Sequence, residues 1–152
     1  MSSIVAVIGT SRGIGLELVK QLSLSANTRT PSPESHLKDD NIKMIALDMT
    51  DDASVIAAAM NVRELDTLII NAPIGNDDHL QSLSSLDFIS YLNTNVVGRV
   101  IRAFLPALLV RNTRQIVITS PEAGSHQLQI GSTFGLVGPF GASKVEVNML
   151  AV

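Results

Sequence analysis

The chain opens with the strand-like run Ile4-Val5-Ala6-Val7-Ile8, followed by the turn Gly9-Thr10-Ser11-Arg12-Gly13-Ile14-Gly15. The short apolar run predicts a buried strand that ends at Gly9. Apolar residues then recur at helical spacing from 13 to 24, which predicts a helix. Glycines between a strand and a helix let the backbone approach a pyrophosphate at the helix N-terminus. The pattern G-x-x-x-G-x-G therefore predicts a nucleotide-binding turn, with a ligand-free glycine-rich connection as the alternative.

The rest of the chain continues the alternation of strands and helices. Apolar runs predict further strands at 42–47, 65–72 and 115–120. The other predicted elements are helices from Thr50 or Asp51 to about Met60, from 85 to 110 with a kink or last turns at Pro106, and from 140 to 152, and loops at 27–41 and 121–138. The alternation predicts one α/β domain over residues 1–152, with a parallel sheet between two helix layers. The expected strand order is 42–47, 4–8, 65–72, 115–120.

Composition argues against several classes of protein. A net charge of -3 without a basic cluster does not suggest nucleic-acid binding. The chain has no cysteine, and its three histidines show no ligand spacing, so no metal site is expected. Arg99 and Arg102 interrupt the longest apolar region, 96–110, so no membrane span is expected. We expect a soluble cytoplasmic protein that acts on a small molecule.

Several ordered motifs make the prediction more specific. Besides the glycine turn, they are Leu47-Asp48, Ile70-Asn71-Ala72, Asn95-Val96-Val97-Gly98, the strand ending at Ser120, and Phe140-Gly141-Ala142-Ser143-Lys144. Together they resemble the motifs of the short-chain dehydrogenase/reductase family. The sequence as a whole resembles fungal members that act on small, often secondary, metabolites. The resemblance implies a Rossmann-like, doubly wound sheet, here shortened to about four strands in a three-layer αβα arrangement.

The resemblance also implies roles for particular residues. The cofactor-binding residues would be Gly9, Ser11, Arg12, Gly13, Ile14, Gly15, Asp48 and Asn71. In the family, Ser120 would orient the carbonyl, Asn95 would hold a water relay, and Lys144 would bind the nicotinamide ribose and lower the pKa of a catalytic Tyr. Asn95 is also compatible with a purely structural role in a helix kink.

The family's Tyr position is occupied by Phe140. A phenyl ring has no ionisable proton, so general acid catalysis from this position is impossible. Phe140 and Lys144 still share a helical face through their i,i+4 spacing. Either the protein has left redox chemistry, or the chain is a deliberate Tyr-to-Phe variant.

Other departures concern the cofactor and the site. Residues 26–31 lack the apolar run of the family's second strand, and Pro73 replaces a Gly beside the cofactor. Pro121 competes with Ser120 for the catalytic Ser position, with the strand favouring Ser120. The chain also stops before the family's last strands. We therefore expect that no cofactor is required and that NADPH affinity is weak or absent; if the site is retained, Arg12 would either pair with the 2′-phosphate or remain solvated.

A few further polar residues are candidates for acid/base catalysis or metal binding. Glu122 and His126 follow the last strand and form a candidate acid/base pair, with two solvated loop residues as the alternative. Asp77, Asp78 and His79 are better explained as a solvated loop than as a metal site. Tyr91 is better explained by packing than by catalysis.

Three functions remain open. The favoured one is a non-redox small-molecule enzyme that performs isomerisation, dehydration or cyclisation in an old reductase pocket. The others are an NADPH-dependent carbonyl reductase and a non-catalytic relic that binds a metabolite or protein. An exposed edge at 115–120 and two apolar helix faces predict a homodimer or higher oligomer. The residues expected at those faces are Val96, Val100, Phe104, Leu108, Val145, Val147, Met149, Leu150 and Val152.

Overall fold

The computed structural model describes residues 3–24, 42–75, 83–95, 97–131 and 138–151. These residues form two compact units. The first comprises Met1–Ala72 and Arg99–Thr119, and the second comprises Pro73–Gly98 and Ser120–Val152. The elements in chain order are β1 (Val5–Ile8), α1 (Gly13–Leu24), α2 (Asp52–Met60), β2 (Thr67–Ile70), α3 (Ser85–Asn95), α4 (Gly98–Val110), β3 (Gln115–Ile118), a 3-10 turn (Glu122–Gly124), α5 (His126–Gln129) and α6 (Gly138–Leu150).

The first unit contains a parallel sheet in the order β1-β2-β3. Val5 pairs with Thr67, and Thr67 pairs in turn with Gln115. This adjacency of the three strands agrees with the predicted order. The α/β class is also confirmed, because helices flank a shortened parallel sheet.

The prediction of a strand at 42–47 is wrong. The structure assigns no strand to this run. Ile42 is partly buried and packs against the core cluster of Val5, Val7 and Val19. Ile42 therefore contacts the core by side-chain packing, and the run does not pair with the sheet through backbone hydrogen bonds. An apolar sequence pattern alone cannot distinguish these two arrangements. Residues 26–31, which lack the apolar run of the family's second strand, lie outside the described residues.

The first two helices follow their predicted bounds. α1 spans the predicted 13–24 and covers β1 through Val19. α2 begins after Asp51, whose side chain accepts a hydrogen bond from the backbone N–H of Ala53. Of the two predicted caps, Asp51 is therefore the one used. Among the described residues, no helix is long and apolar enough to cross a membrane.

The helix predicted over 85–110 is instead two helices, α3 and α4. The interruption lies between Asn95 and Gly98, whereas Pro106 lies inside α4 near its last turn. Gly98 is a weak helix former, and the Asn95 side chain bonds to backbone outside the helix. A helical apolar pattern that continues across both helices does not reveal this interruption.

Two further expectations change in the structure. The segment predicted as loop at 121–138 contains the 3-10 turn and α5, whose first turn is capped by Ser125 through the Leu128 N–H. The apolar row expected to face a partner is buried within the chain: Val100, Phe104 and Leu108 are at most 2% exposed. These three residues form core, so they cannot support a dimer interface.

Candidate functional site

The glycine turn of the first unit begins with a left-handed residue. Gly9 has a φ of +87°, a conformation that L side chains rarely adopt. A β-carbon at Gly9 would also lie 2.5 Å from the β-carbon of Ala72, at the end of β2. Both the left-handed φ and the close approach to Ala72 require glycine at this position. The turn therefore lies close to the carboxyl end of the neighbouring strand.

Gly15 closes the turn from the other side. A β-carbon at Gly15 would collide with the carbonyl oxygen of Gly9 and would lie 2.9 Å from Nδ2 of Asn71. The first turn of α1 is therefore folded directly onto the end of β1. This close packing of a helix start against the end of a strand is what glycines permit in a nucleotide-binding turn.

The residues from Ser11 to Ile14 face outward, whereas Thr10 is buried. Ser11, Arg12 and Gly13 are exposed, and Ile14 is 66% exposed. Within the part of the chain that the structure describes, the exposed Arg12 makes no hydrogen bond or ion pair. The turn thus combines a glycine-lined backbone, the N-terminal end of a twelve-residue helix and one exposed cation.

Asn71 and Thr119 join the ends of two strands next to this turn. The Thr119 hydroxyl donates to Oδ1 of Asn71 at 3.1 Å, which directs the amide nitrogen of Asn71 toward Gly15. Asn71 was predicted as a cofactor residue, whereas Thr119 was not. The sequence feature that could have identified Thr119 is its position directly before Ser120, at the carboxyl end of a predicted strand.

Asp48 is exposed and preorganised by its own loop. Its Oδ1 accepts hydrogen bonds from the backbone N–H and the hydroxyl of Thr50, at 2.8 and 2.7 Å. These bonds hold the pKa of Asp48 below its ordinary value. The carboxylate therefore stays charged and is held in place by its own loop.

Asn95 is the buried centre of the second unit. It is 1% exposed, and its Nδ2 donates to the carbonyl oxygen of Ile74 and to Oγ of Ser143, both at 2.9 Å. Its Oδ1 accepts from the backbone N–H of Ile74, also at 2.9 Å. The side chain of Asn95 is thus committed to protein partners and acts as a positioning group.

Ser143 connects Asn95 to the first turn of α6 through two hydrogen bonds. It is fully buried, accepts from Asn95 and donates to the carbonyl oxygen of Phe140 at 2.7 Å. The sequence analysis included Ser143 in the 140–144 motif but assigned it no role. A serine three residues after Phe140 on a helix can bond back to the earlier carbonyl, and that spacing was the available signal.

Phe140 and Lys144 lie side by side, as their spacing predicted. Lys144 is 3% exposed, and its Nζ lies 5.8 Å from the centroid of the Phe140 ring, within cation–π range. Burial lowers the pKa of the Lys144 ammonium. Gly75 packs against the same ring, so that a β-carbon there would lie 3.2 Å from its edge carbons.

The other predicted site residues are dispersed. Ser120, Glu122 and His126 are exposed, and within the described part of the chain no hydrogen bond or ion pair joins any two of them. Tyr91 is 4% exposed, in line with a packing role. Residues 77–79 lie outside the described residues. The predicted acid/base pair is therefore not assembled in this structure.

Known proteins with similar sequences and folds place these motifs in context. The short chain dehydrogenase family model matches residues 3–152. Two uncharacterised oxidoreductases of Schizosaccharomyces pombe are 31% and 32% identical over 93% of this chain, which spans 62% of the length of each. The NADPH-bound carbonyl reductase from chicken fatty liver superposes with a TM-score of 0.81 at 27% identity, covering 97% of this chain and 67% of that one. The chain belongs to the short chain dehydrogenase family.

Proposed function

We propose that this chain supplies the cofactor-binding and carbonyl-binding parts of an NADPH-dependent carbonyl reductase. The observation that carries the proposal is the tight turn from Gly9 to Gly15 at the start of α1, where a β-carbon at either end would collide with neighbouring protein atoms and prevent the turn from forming. The chicken carbonyl reductase, which has a similar fold and binds NADPH in its crystal structure, supports the same proposal. This proposal replaces the expectation that no cofactor is required, which finds no support among the similar proteins.

The residues present fit a phosphorylated dinucleotide. The pyrophosphate would lie at the N-terminus of α1, and the exposed Arg12 would pair with a 2′-phosphate. Asp48 would accept a hydrogen bond from the adenine end of the cofactor. When bound, NADPH supplies the hydride that a carbonyl reduction needs.

Phe140 determines how fast such a reduction can run. The phenyl ring cannot donate the proton that the developing alkoxide needs, so water must supply it. We therefore propose a slow reductase whose rate is limited by proton delivery. Restoring a phenol at this position should remove that limit.

The experiment compares the natural chain with Phe140→Tyr, using NADPH and a panel of small aldehydes and ketones. The expected gain in kcat is on the order of 10²–10⁴-fold, the usual contribution of general acid catalysis. Phe88→Tyr, at a half-buried phenylalanine on α3, is the matched control and should give no gain. The proposal fails if Phe140→Tyr binds NADPH and still reduces none of the panel.

A second candidate function is a non-redox reaction on a carbonyl compound, such as isomerisation, dehydration or cyclisation. The observation that favours it is that Phe140 packs against Gly75 and lies beside the buried amine of Lys144, so that a phenyl ring stands where an acid/base group would be needed. Ser120, Glu122 and His126 would then serve such chemistry only after binding brings them to the substrate. A chain that binds a metabolite without turning it over is the remaining alternative.

A further inference from the structure

We propose that Thr119 is a positioning residue for nucleotide binding, because its hydroxyl holds the side-chain amide of Asn71 with the amide nitrogen toward the turn at Gly15. The inference deepens the proposed function and rests on it in taking NADPH as the ligand. Every residue that carries the argument belongs to the first unit.

The backbone fixes the places from which the two side chains start. The N–H of Asn71 donates to the carbonyl oxygen of Ile8, and the N–H of Thr119 donates to that of Ile70, each at 3.0 Å. These bonds continue the parallel pairing of Ile8 with Ile70 and of Ile70 with Ile118 by one residue. The backbone at Thr119 is therefore held by its own N–H and does not depend on the hydroxyl.

The hydroxyl of Thr119 instead acts on the orientation of the Asn71 amide. It donates to Oδ1 of Asn71 at 3.1 Å, and both side chains are partly buried. An asparagine amide has an accepting oxygen on one side and a donating nitrogen on the other. A partner on Oδ1 therefore leaves Nδ2 on the opposite side, where Gly15 lies.

The surroundings of Nδ2 suit a donor and not an acceptor. Nδ2 of Asn71 and the carbonyl oxygen of Gly9 lie 2.9 and 2.0 Å from the point where a β-carbon of Gly15 would stand. An amide nitrogen beside a carbonyl oxygen is a favourable neighbour, because its N–H carries positive partial charge. An amide oxygen in the same place would be repelled by the Gly9 oxygen.

This orientation matters for an anion at the start of α1. The first turn of a helix carries backbone N–H groups that have no partner within the helix, together with the positive end of the helix dipole. If the Asn71 amide were reversed, its oxygen would lie beside Gly15 and would compete with a phosphate for these donors. By holding Oδ1 on the side of β3, Thr119 keeps this competing oxygen away from the turn.

The test compares NADPH binding by calorimetric titration among three variants of the full chain. Thr119→Val keeps the branched shape and removes the hydroxyl, so we expect the dissociation constant to rise about three- to tenfold, the effect of losing one hydrogen bond. Thr119→Ser keeps the hydroxyl and should restore the natural affinity. Thr67→Val is the matched control, because the Thr67 hydroxyl donates to Oε1 of Gln115 at 3.3 Å across the opposite end of the same two strands. This control should bind normally.

A second readout needs no cofactor. The side-chain amide signals of Asn71 in a nitrogen–proton NMR spectrum are those that disappear in Asn71→Ala. In the ligand-free chain we expect their exchange with solvent to be about three- to tenfold faster in Thr119→Val than in the natural chain, and unchanged in Thr67→Val.

Equal NADPH affinity of Thr119→Val and the natural chain, or equal exchange of the Asn71 amide, would overturn the inference. Thr119→Ser binding as weakly as Thr119→Val would also overturn it, because the hydroxyl would then not be the group that matters. If the natural chain binds no NADPH, the proposed function fails, and the exchange rates alone decide whether Thr119 holds the amide.

Discussion

The side-chain amide of Asn95 and the backbone of Ile74 form a closed pair of hydrogen bonds. Nδ2 donates to the Ile74 carbonyl and Oδ1 accepts from the Ile74 N–H, each at 2.9 Å. Asn95 thereby satisfies both polar groups of a peptide segment that follows β2. The same amide also holds Ser143, so one buried residue connects α3, the 73–75 segment and α6.

Asn95→Leu should destabilise the chain strongly. The substitution keeps the side-chain size but leaves the Ile74 N–H and C=O and the Ser143 hydroxyl without this partner. Ser143 is fully buried, and an unsatisfied buried group costs about 1–3 kcal/mol, whereas water can replace part of the lost bonds at Ile74, which is 39% exposed; we therefore expect a loss of about 1–3 kcal/mol in the free energy of unfolding. Urea denaturation measures it. Ser90→Ala, at an exposed position on the same helix, should cost roughly 0.5 kcal/mol or less; equal losses in the two variants would contradict this role.

Lys144→Met should stabilise the chain at neutral pH. The folded-state pKa of Lys144 is lowered by burial, so between that pKa and the unfolded value near 10.5 the unfolded chain binds more protons. Stability of the natural chain therefore rises with pH across this window, and the advantage of Lys144→Met shrinks. Unfolding curves from pH 7 to 10 test this, with Lys20→Met, at a partly exposed lysine on α1, as control. A Lys144→Met advantage that grows with pH would reverse the sign and refute the argument.

Arg12→Ala should weaken NADPH binding more than NADH binding. A hydrogen bond to a charged group contributes about 1.5–3 kcal/mol, so the ratio of the two dissociation constants should change by at least about tenfold. Fluorescence titration with both cofactors measures the ratio. Arg63→Ala removes an exposed arginine on another loop and should leave it unchanged. A proportional loss for both cofactors would assign Arg12 to the pyrophosphate instead.

Self-association remains a prediction, and of the surfaces expected from the sequence the exposed strand edge at 115–120 is the one that the structure leaves for it. β3 pairs with β2, and the described residues contribute no strand to its other side. Ile116 and Val117 on β3 are 37% and 39% exposed, so its edge suits pairing with a second copy. Light scattering should give about twice 16.2 kDa, and Val117→Lys should return the monomer mass. Ile56→Lys, at an exposed apolar site on α2, is the control; a natural chain at monomer mass would contradict the prediction.

Local patterns predicted the start of the fold well. β1, the glycine turn and α1 follow from a short apolar run, glycine spacing and helical periodicity, all encoded within residues 4–24. The spacing of Phe140 and Lys144 likewise predicted their contact, because both lie on one helix. The family resemblance identified Asn95 and Asn71 as important residues.

The remaining differences arise from contacts distant in sequence. The interruption between α3 and α4 depends on a bond from Asn95 to Ile74, 21 residues earlier. The run at 42–47 is apolar enough for a strand, yet Ile42 meets the core by side-chain packing. The burial of Val100 on α4 depends on which helix face the core covers, which periodicity alone does not decide. Each required knowledge of the tertiary neighbours.

The central claim is that the turn from Gly9 to Gly15 binds NADPH, and calorimetric titration tests it most directly. We predict low-micromolar binding to the natural chain and loss of binding in Gly9→Ala, where the new β-carbon would strike Ala72. Gly131→Ala is the matched control, since Gly131 has a similar left-handed φ of +76° with no neighbour within 4 Å, and it should bind normally. Absence of NADPH binding to the natural chain, or equal binding to Gly9→Ala, would contradict the account.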